Sequence, residues 1–137
     1  MKRELVKSFG LAAGLLMICV SAVAHHGGSE YDTINLKTLK GTVTEFIWEN
    51  PHCQVFLDVK KGNSGQVVHW GIETLAPAVL KRAGWNPKTL QPGDQITITV
   101  APSKKGTPIG VIRKVILPDG KELSGGSISG SDPAPQQ

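Results

Sequence analysis

Beyond residue 36 apolar and polar residues alternate along most of the chain, and this period of two predicts strands. Leu39, Val43 and Ile47 fall on one parity while Thr42, Thr44, Phe46 and Trp48 fall on the other, so a first strand is expected from about Leu36 to Trp48. Gly41 within it marks a bulge or sharp bend, because a residue without Cβ tolerates strained geometry. Glu49-Asn50-Pro51 ends the strand. In the second strand Cys53, Val55, Leu57 and Val59 face one way, and His52, Gln54, Phe56 and Asp58 the other. After the turn Lys60 to Gly65, a third strand from Gln66 to Glu73 directs Val68, Trp70 and Ile72 inward, and the two strands form a hairpin.

A helix is expected next, with Thr74 as N-cap, Pro77 in the first turn, and Leu75, Val79, Leu80 and Ala83 as its apolar stripe. Gly84 and Asn86-Pro87 end it, and Trp85 plugs the core beside it. Gln91-Pro92-Gly93-Asp94 reads as a type II turn leading into a strand that carries Ile96, Ile98 and Val100. A polar loop, Pro102 to Pro108, precedes a fifth strand, Ile109 to Leu117, whose apolar residues on both parities imply burial on two sides or a bulge. Three strands, a helix and two more strands is the element order of the OB-fold, a small five-stranded barrel with its helix between strands three and four. A small open β-roll with the same elements is the competing architecture. The expected fold class is therefore mostly β, with the barrel over residues 36–123, a flexible segment over 25–35, and a disordered Ser, Gly, Pro and Gln tail over 124–137.

The N-terminal 24 residues have a different character. Lys2, Arg3 and Lys7 precede a nearly unbroken apolar run from Phe9 to Ala24 that ends Ala22-Val23-Ala24, the small-x-small pattern read by signal peptidase. The run is shorter than the roughly 20 residues of a membrane-spanning helix, so residues 1–24 are expected to be a cleaved signal and not a membrane anchor. Bulky Ile18 before Cys19 argues against lipidation. The expected location is periplasmic or secreted. Of the formal charge of +4, Lys2, Arg3, Lys7 and Glu4 account for half, so the mature chain carries +2. Its basic residues are scattered, which argues against a nucleic-acid partner. Cys53 is then the single mature cysteine, so no internal disulfide forms and the fold rests on packing.

All four histidines lie after the signal. The expected hairpin register sets His52 opposite Glu73 and Phe56 opposite His69, and directly opposed side chains have Cβ atoms about 5 Å apart. Cleavage after Ala24 leaves an amino group on His25 that can chelate an ion together with its own imidazole. Imidazole suits copper, zinc and nickel. The candidate metal residues are His25, His26, His52 and Glu73, with Glu73 orienting His52 or binding directly, and with Cu(II) ahead of Zn(II) as the ion. The bland alternative is a polar N-terminus beside a hydrogen-bonded strand end. A binding module is the other functional class: the outer face of strands two and three, with Trp48, Gln54, Phe56 and His69, would hold an envelope protein, an oligosaccharide or a small ligand. Catalysis is not expected. Cys53 and His52 are adjacent strand residues and point to opposite faces, and no phosphate loop, Gly-x-Ser-x-Gly elbow or paired-carboxylate arrangement occurs.

Several motifs together resemble a family of small exported proteobacterial proteins catalogued as a domain of unknown function. They are Ala24-His25-His26, Leu39-Lys40-Gly41-Thr42-Val43, Trp48-Glu49-Asn50-Pro51-His52, Trp70 with Glu73, Leu80 to Gly84-Trp85, Leu90-Gln91-Pro92-Gly93-Asp94 and Leu117-Pro118-Asp119-Gly120-Lys121. The resemblance spans nearly the whole mature chain. It implies an exported barrel-like domain, supplies no activity, and raises His25, His26, His52 and Glu73 as candidates. Members of that family tend to carry an aromatic or aliphatic residue where Cys53 stands, and Ser where this chain has Ala76. The first departure argues against an essential thiolate, and the second leaves Thr74 as the expected cap.

Overall fold

A computed structural model of the chain describes residues 30–126. The expected signal, the His25-His26 pair and the tail beyond Gly126 lie outside those residues. The elements are β1 (Lys37–Ile47), β2 (Gln54–Lys60), β3 (Val67–Glu73), α1 (Pro77–Arg82), β4 (Gln95–Pro102), β5 (Ile109–Ile116) and β6 (Glu122–Ser124). The strands join in the order β3-β2-β1-β4-β5-β6, and a parallel pairing of β3 with β5 closes the first five into a barrel. The helix between β3 and β4 and this mixed closure give the OB-like architecture, not the open roll.

β1 is long enough to serve two neighbours. Lys37–Thr42 pairs with β4, and Thr42–Ile47 with β2. At the crossover Gly41 passes so close to β2 that a Cβ there would sit 2.7 Å from the Asp58 carbonyl oxygen. The bulge itself lies further on, between Val43 and Glu45, and not at Gly41. The extra residue there reverses the parity expected for the end of β1. Phe46 pairs with Val55 and packs against the core with Trp48, their rings edge-on at 5.7 Å. β5 uses the same device. Thr99 pairs with Lys114 but Val100 with Ile112, so Arg113 is the extra residue and Ile112 and Val115 are both fully buried.

The core combines Val43, Val55, Leu57, Ile72, Ile98 and Val100 from the strands with Leu80 and Trp85 from the helical segment. Thr74 does not cap α1. The N-cap is Ala76, with no side-chain bond, while the Thr74 hydroxyl donates to the Cys53 carbonyl at 2.9 Å. Extended pairing has captured the intended cap, since the Thr74 N–H also donates to that carbonyl. The α1 terminus uses Gly84 at φ 87, followed by the Trp85 N–H returning to the Leu80 carbonyl.

β6 had no counterpart among the expected elements. It pairs with β5, and the Trp85 indole N–H donates to the Ser124 carbonyl at 2.8 Å, so packed chain continues through the first residues of the Ser/Gly segment. Among the described residues no helix is long and apolar enough to cross a membrane.

Candidate functional site

The β2–β3 hairpin is shifted by one pair from the expected register. Gln54 lies opposite Glu73, Phe56 opposite Gly71 and Asp58 opposite His69. The inward set is unchanged, because this shift moves the ladder by two residues along one strand and preserves the parity of both. The partners on the outer face do change. His69 is hydrogen-bonded to Asp58, Nδ1 to Oδ1 at 2.5 Å, and does not face Phe56.

His52 and Glu73 nevertheless meet, as the diagonal neighbours this register makes them. The His52 Nδ1 contacts Glu73 Oε1, with the two side chains 44% and 40% exposed. Their backbone supports are firm. Just before β2 the Cys53 N–H donates to the Leu75 carbonyl, and the Cys53 carbonyl accepts from the Thr74 N–H and hydroxyl. An imidazole oriented through one ring nitrogen by a carboxylate leaves its other nitrogen as a donor toward a ligand, the arrangement that fixes histidine tautomers at metal sites. Cys53 itself is fully buried on the core side, and burial pushes its thiol pKa up, so it stays protonated and turned from the pair.

The segment before β1 arrives at the same end of the barrel. Tyr31 forms an antiparallel bridge with Ser103, the Asp32 N–H donates to the Pro102 carbonyl at 2.8 Å, and the Lys104 N–H to the Glu30 carbonyl at 2.9 Å. Lys105 Nζ lies 3.2 Å from Glu30 Oε1. The half-buried Tyr31 phenol has a pKa raised first by burial and then by the Glu73 and Glu30 carboxylates. No periodicity in the sequence pointed to Tyr31, the single tyrosine of the chain.

Among the described residues no group of three or more His, Cys, Asp or Glu could hold a metal ion. The pair therefore supplies two donors, and His25 and His26 lie outside the described residues. The expected ligand face is divided. Trp48 packs toward the core, Gln54 sits exposed beside the His52–Glu73 pair, and Phe56 and His69 line a groove of about 440 Å³ with Trp70, Gly71, Pro108 and Ile109. Gly71 makes room for this groove, since a Cβ on it would touch the Phe56 ring at 3.4 Å. A larger concavity of about 710 Å³ is lined by Lys40, Thr42, Asp58, Lys60, Gln95 and Thr97 among others, and holds neither histidine nor cysteine.

No curated protein and no solved structure matches the chain. A family model does, over residues 13–113, and on that match the chain belongs to a family of unknown function (DUF6152).

Proposed function

We propose that the protein is an exported metal-binding protein of the cell envelope that holds Cu(II), and less strongly Zn(II). The donors are the amine and imidazole of His25, with His26 and His52, and Glu73 orients His52 or binds directly. The observation that carries this reading is that the Glu30–Asp32 segment and the His52–Glu73 pair share one end of the barrel. From Tyr31 back to His26 the chain can reach about 17 Å when extended, and the reading requires His52 to lie within that reach.

The test uses protein exported and processed by cells, with its first residue established by N-terminal sequencing, and titrated calorimetrically with Cu(II) and Zn(II). A start at His25 and tight Cu(II) binding are expected. Binding weakens at least about tenfold in His52→Ala, and again when one extra residue precedes His25 and removes the amine chelate. Millimolar affinity, unchanged in His52→Ala, overturns the reading.

The Phe56 groove favours a second reading, an OB-type module for an envelope protein, an oligosaccharide or a small ligand. That reading requires Phe56→Ala to abolish capture of the ligand while leaving metal titrations untouched.

A further inference from the structure

β3 is fully paired on one side only. Toward β2 it pairs from Val67 to Glu73, and toward β5 from Gly71 to Glu73. The phase of the hairpin bonds follows from its turn, where the Lys61 N–H donates to the Gln66 carbonyl at 2.8 Å. Bonded pairs alternate in an antiparallel ladder, so Val68, Trp70 and Ile72 bond to β2, while Val67, His69, Gly71 and Glu73 turn their N–H and C=O groups to the other edge. The Gly71 N–H donates to the Pro108 carbonyl at 3.1 Å, as this phase requires. The next bond of that parallel ladder would run from residue 108 to the His69 carbonyl, and Pro108 has no N–H to give. Val67 and His69 are both exposed, and among the described residues no strand pairs with their outer edge.

The side chains beside this edge are apolar and acidic. Consecutive pairings set Glu45, Phe56, Gly71 and Ile109 in one row across four strands. Phe56 and Ile109 close over Gly71, within 3.4 and 3.9 Å of where its Cβ would stand, and with Trp70 and Pro108 they line the groove of about 440 Å³. Ile109 is 44% exposed and Val67 41%. Glu45 lines the same groove, is exposed, and has no basic partner among the described residues, whereas Asp58 is held by His69. Free main-chain groups on a strand edge are matched by another extended backbone, and a carboxylate beside an aromatic ring by a cation. An oligosaccharide would cover the ring and leave the edge groups without a ladder. We propose that the Val67–His69 edge of β3 binds an extended segment of a partner protein as an added strand, with an apolar side chain in the groove beside Ile109 and a lysine or arginine across Phe56 toward Glu45. This rests on the binding-module reading of the groove and names its ligand class. The added strand lies in line with β5, in the place where that ladder stops at Pro108.

The experiment selects binders for the full chain, exported and processed by cells, from a phage library of short random peptides. Synthetic copies are measured by fluorescence anisotropy, and the amides of the protein are followed by NMR. Selected peptides are expected to alternate apolar residues with others and to carry a lysine or arginine. Methylating the peptide nitrogens that face β3 weakens binding at least about tenfold, whereas methylating the intervening ones does not. The Val67 and His69 amides, quick to exchange in the free protein, slow when peptide binds. Glu45→Gln, an exposed change that leaves the core intact, weakens basic peptides several-fold and lessens their salt dependence. If peptides bind equally well whichever nitrogens are methylated, or leave the Val67 and His69 amides exchanging freely, the strand addition is wrong, and the groove reading stands where Phe56→Ala still abolishes their binding. If no peptide is selected and a panel of neutral and acidic oligosaccharides yields a Phe56-dependent ligand, the groove is a saccharide site and the added strand is again wrong. If neither class binds, the binding-module reading fails and the added strand with it.

Discussion

Two tightly packed positions, a partly buried glycine and a fully buried cysteine, set how the barrel answers to single substitutions. At Gly41 an added Cβ meets the backbone oxygen of Asp58 at 2.7 Å and the Leu57 side chain at 2.8 Å, and the backbone contact cannot be relieved by a rotamer change. Gly41→Ala should destabilise the protein by about 1–3 kcal/mol, read as a lower urea midpoint at an unchanged slope. Cys53 titrates in the other direction from the usual carboxylate. Burial raises its pKa above the ordinary 9.0, so its contribution to stability is complete below that pH and is lost as the pH rises past it. Tyr31, raised above 10.0, acts with the same sign at higher pH. Stability should therefore fall as the pH rises past about 9, and the onset of that fall should move to higher pH in Cys53→Ala. The folded protein should also resist thiol alkylation at pH 8 and react stoichiometrically in denaturant. Rapid alkylation of folded protein would show that the thiol is not sequestered.

At the scale of elements, α1 carries a correctable defect. Its N-cap residue, Ala76, has the extended backbone a cap needs, φ −61 and ψ 149, but no side chain to accept an orphan N–H. Ala76→Ser should add about 0.5–1 kcal/mol by supplying that acceptor, measured by thermal or urea unfolding, whereas Thr74→Ser should give no such gain. The existence of the first five strands and the faces of β2, β3 and β4 were legible because alternation is a local signal. The bulges at Thr44 and Arg113 were not, since one inserted residue reverses parity without leaving a compositional mark, and Phe46 and Trp48 were consequently assigned to the wrong face. The hairpin register escaped for a related reason. A shift of one pair preserves both faces, and the polar Lys60–Gly65 turn offers no apolar residue to select between registers. His52 and Glu73 were still readable as partners because opposed and diagonal positions both bring long side chains into reach. The Asp58–His69 pair depended on the register itself and was missed, as was β6, whose sole apolar residue is Leu123.

For the whole molecule, the position of the candidate site on the closing seam is the feature that sequence patterns could not supply, because closure pairs segments far apart in the chain. β3 and β5 join through three residue pairs, Gly71–Ile109, Ile72–Gly110 and Glu73–Val111, against six between β1 and β4. Short pairings opened by small fluctuations exchange their amide hydrogens before the rest of a fold does. The Gly71 amide, which donates to the Pro108 carbonyl, should therefore exchange well before the amides of the β1–β4 ladder around Leu39 and Ile98. Glu73 lies on that seam, and an ion that binds the closed barrel through Glu73 and His52 binds the opened one more weakly. By mass action it must then stabilise closure. Saturating Cu(II) should slow exchange across Gly71–Glu73 and Ile109–Val111 by tenfold or more at about ten times the dissociation constant, while the β1–β4 ladder, governed by global unfolding, slows by no larger factor. The same measurement on His52→Ala should show the fast seam with or without the ion. Uniform slowing that persists in His52→Ala would place the bound ion elsewhere on the molecule.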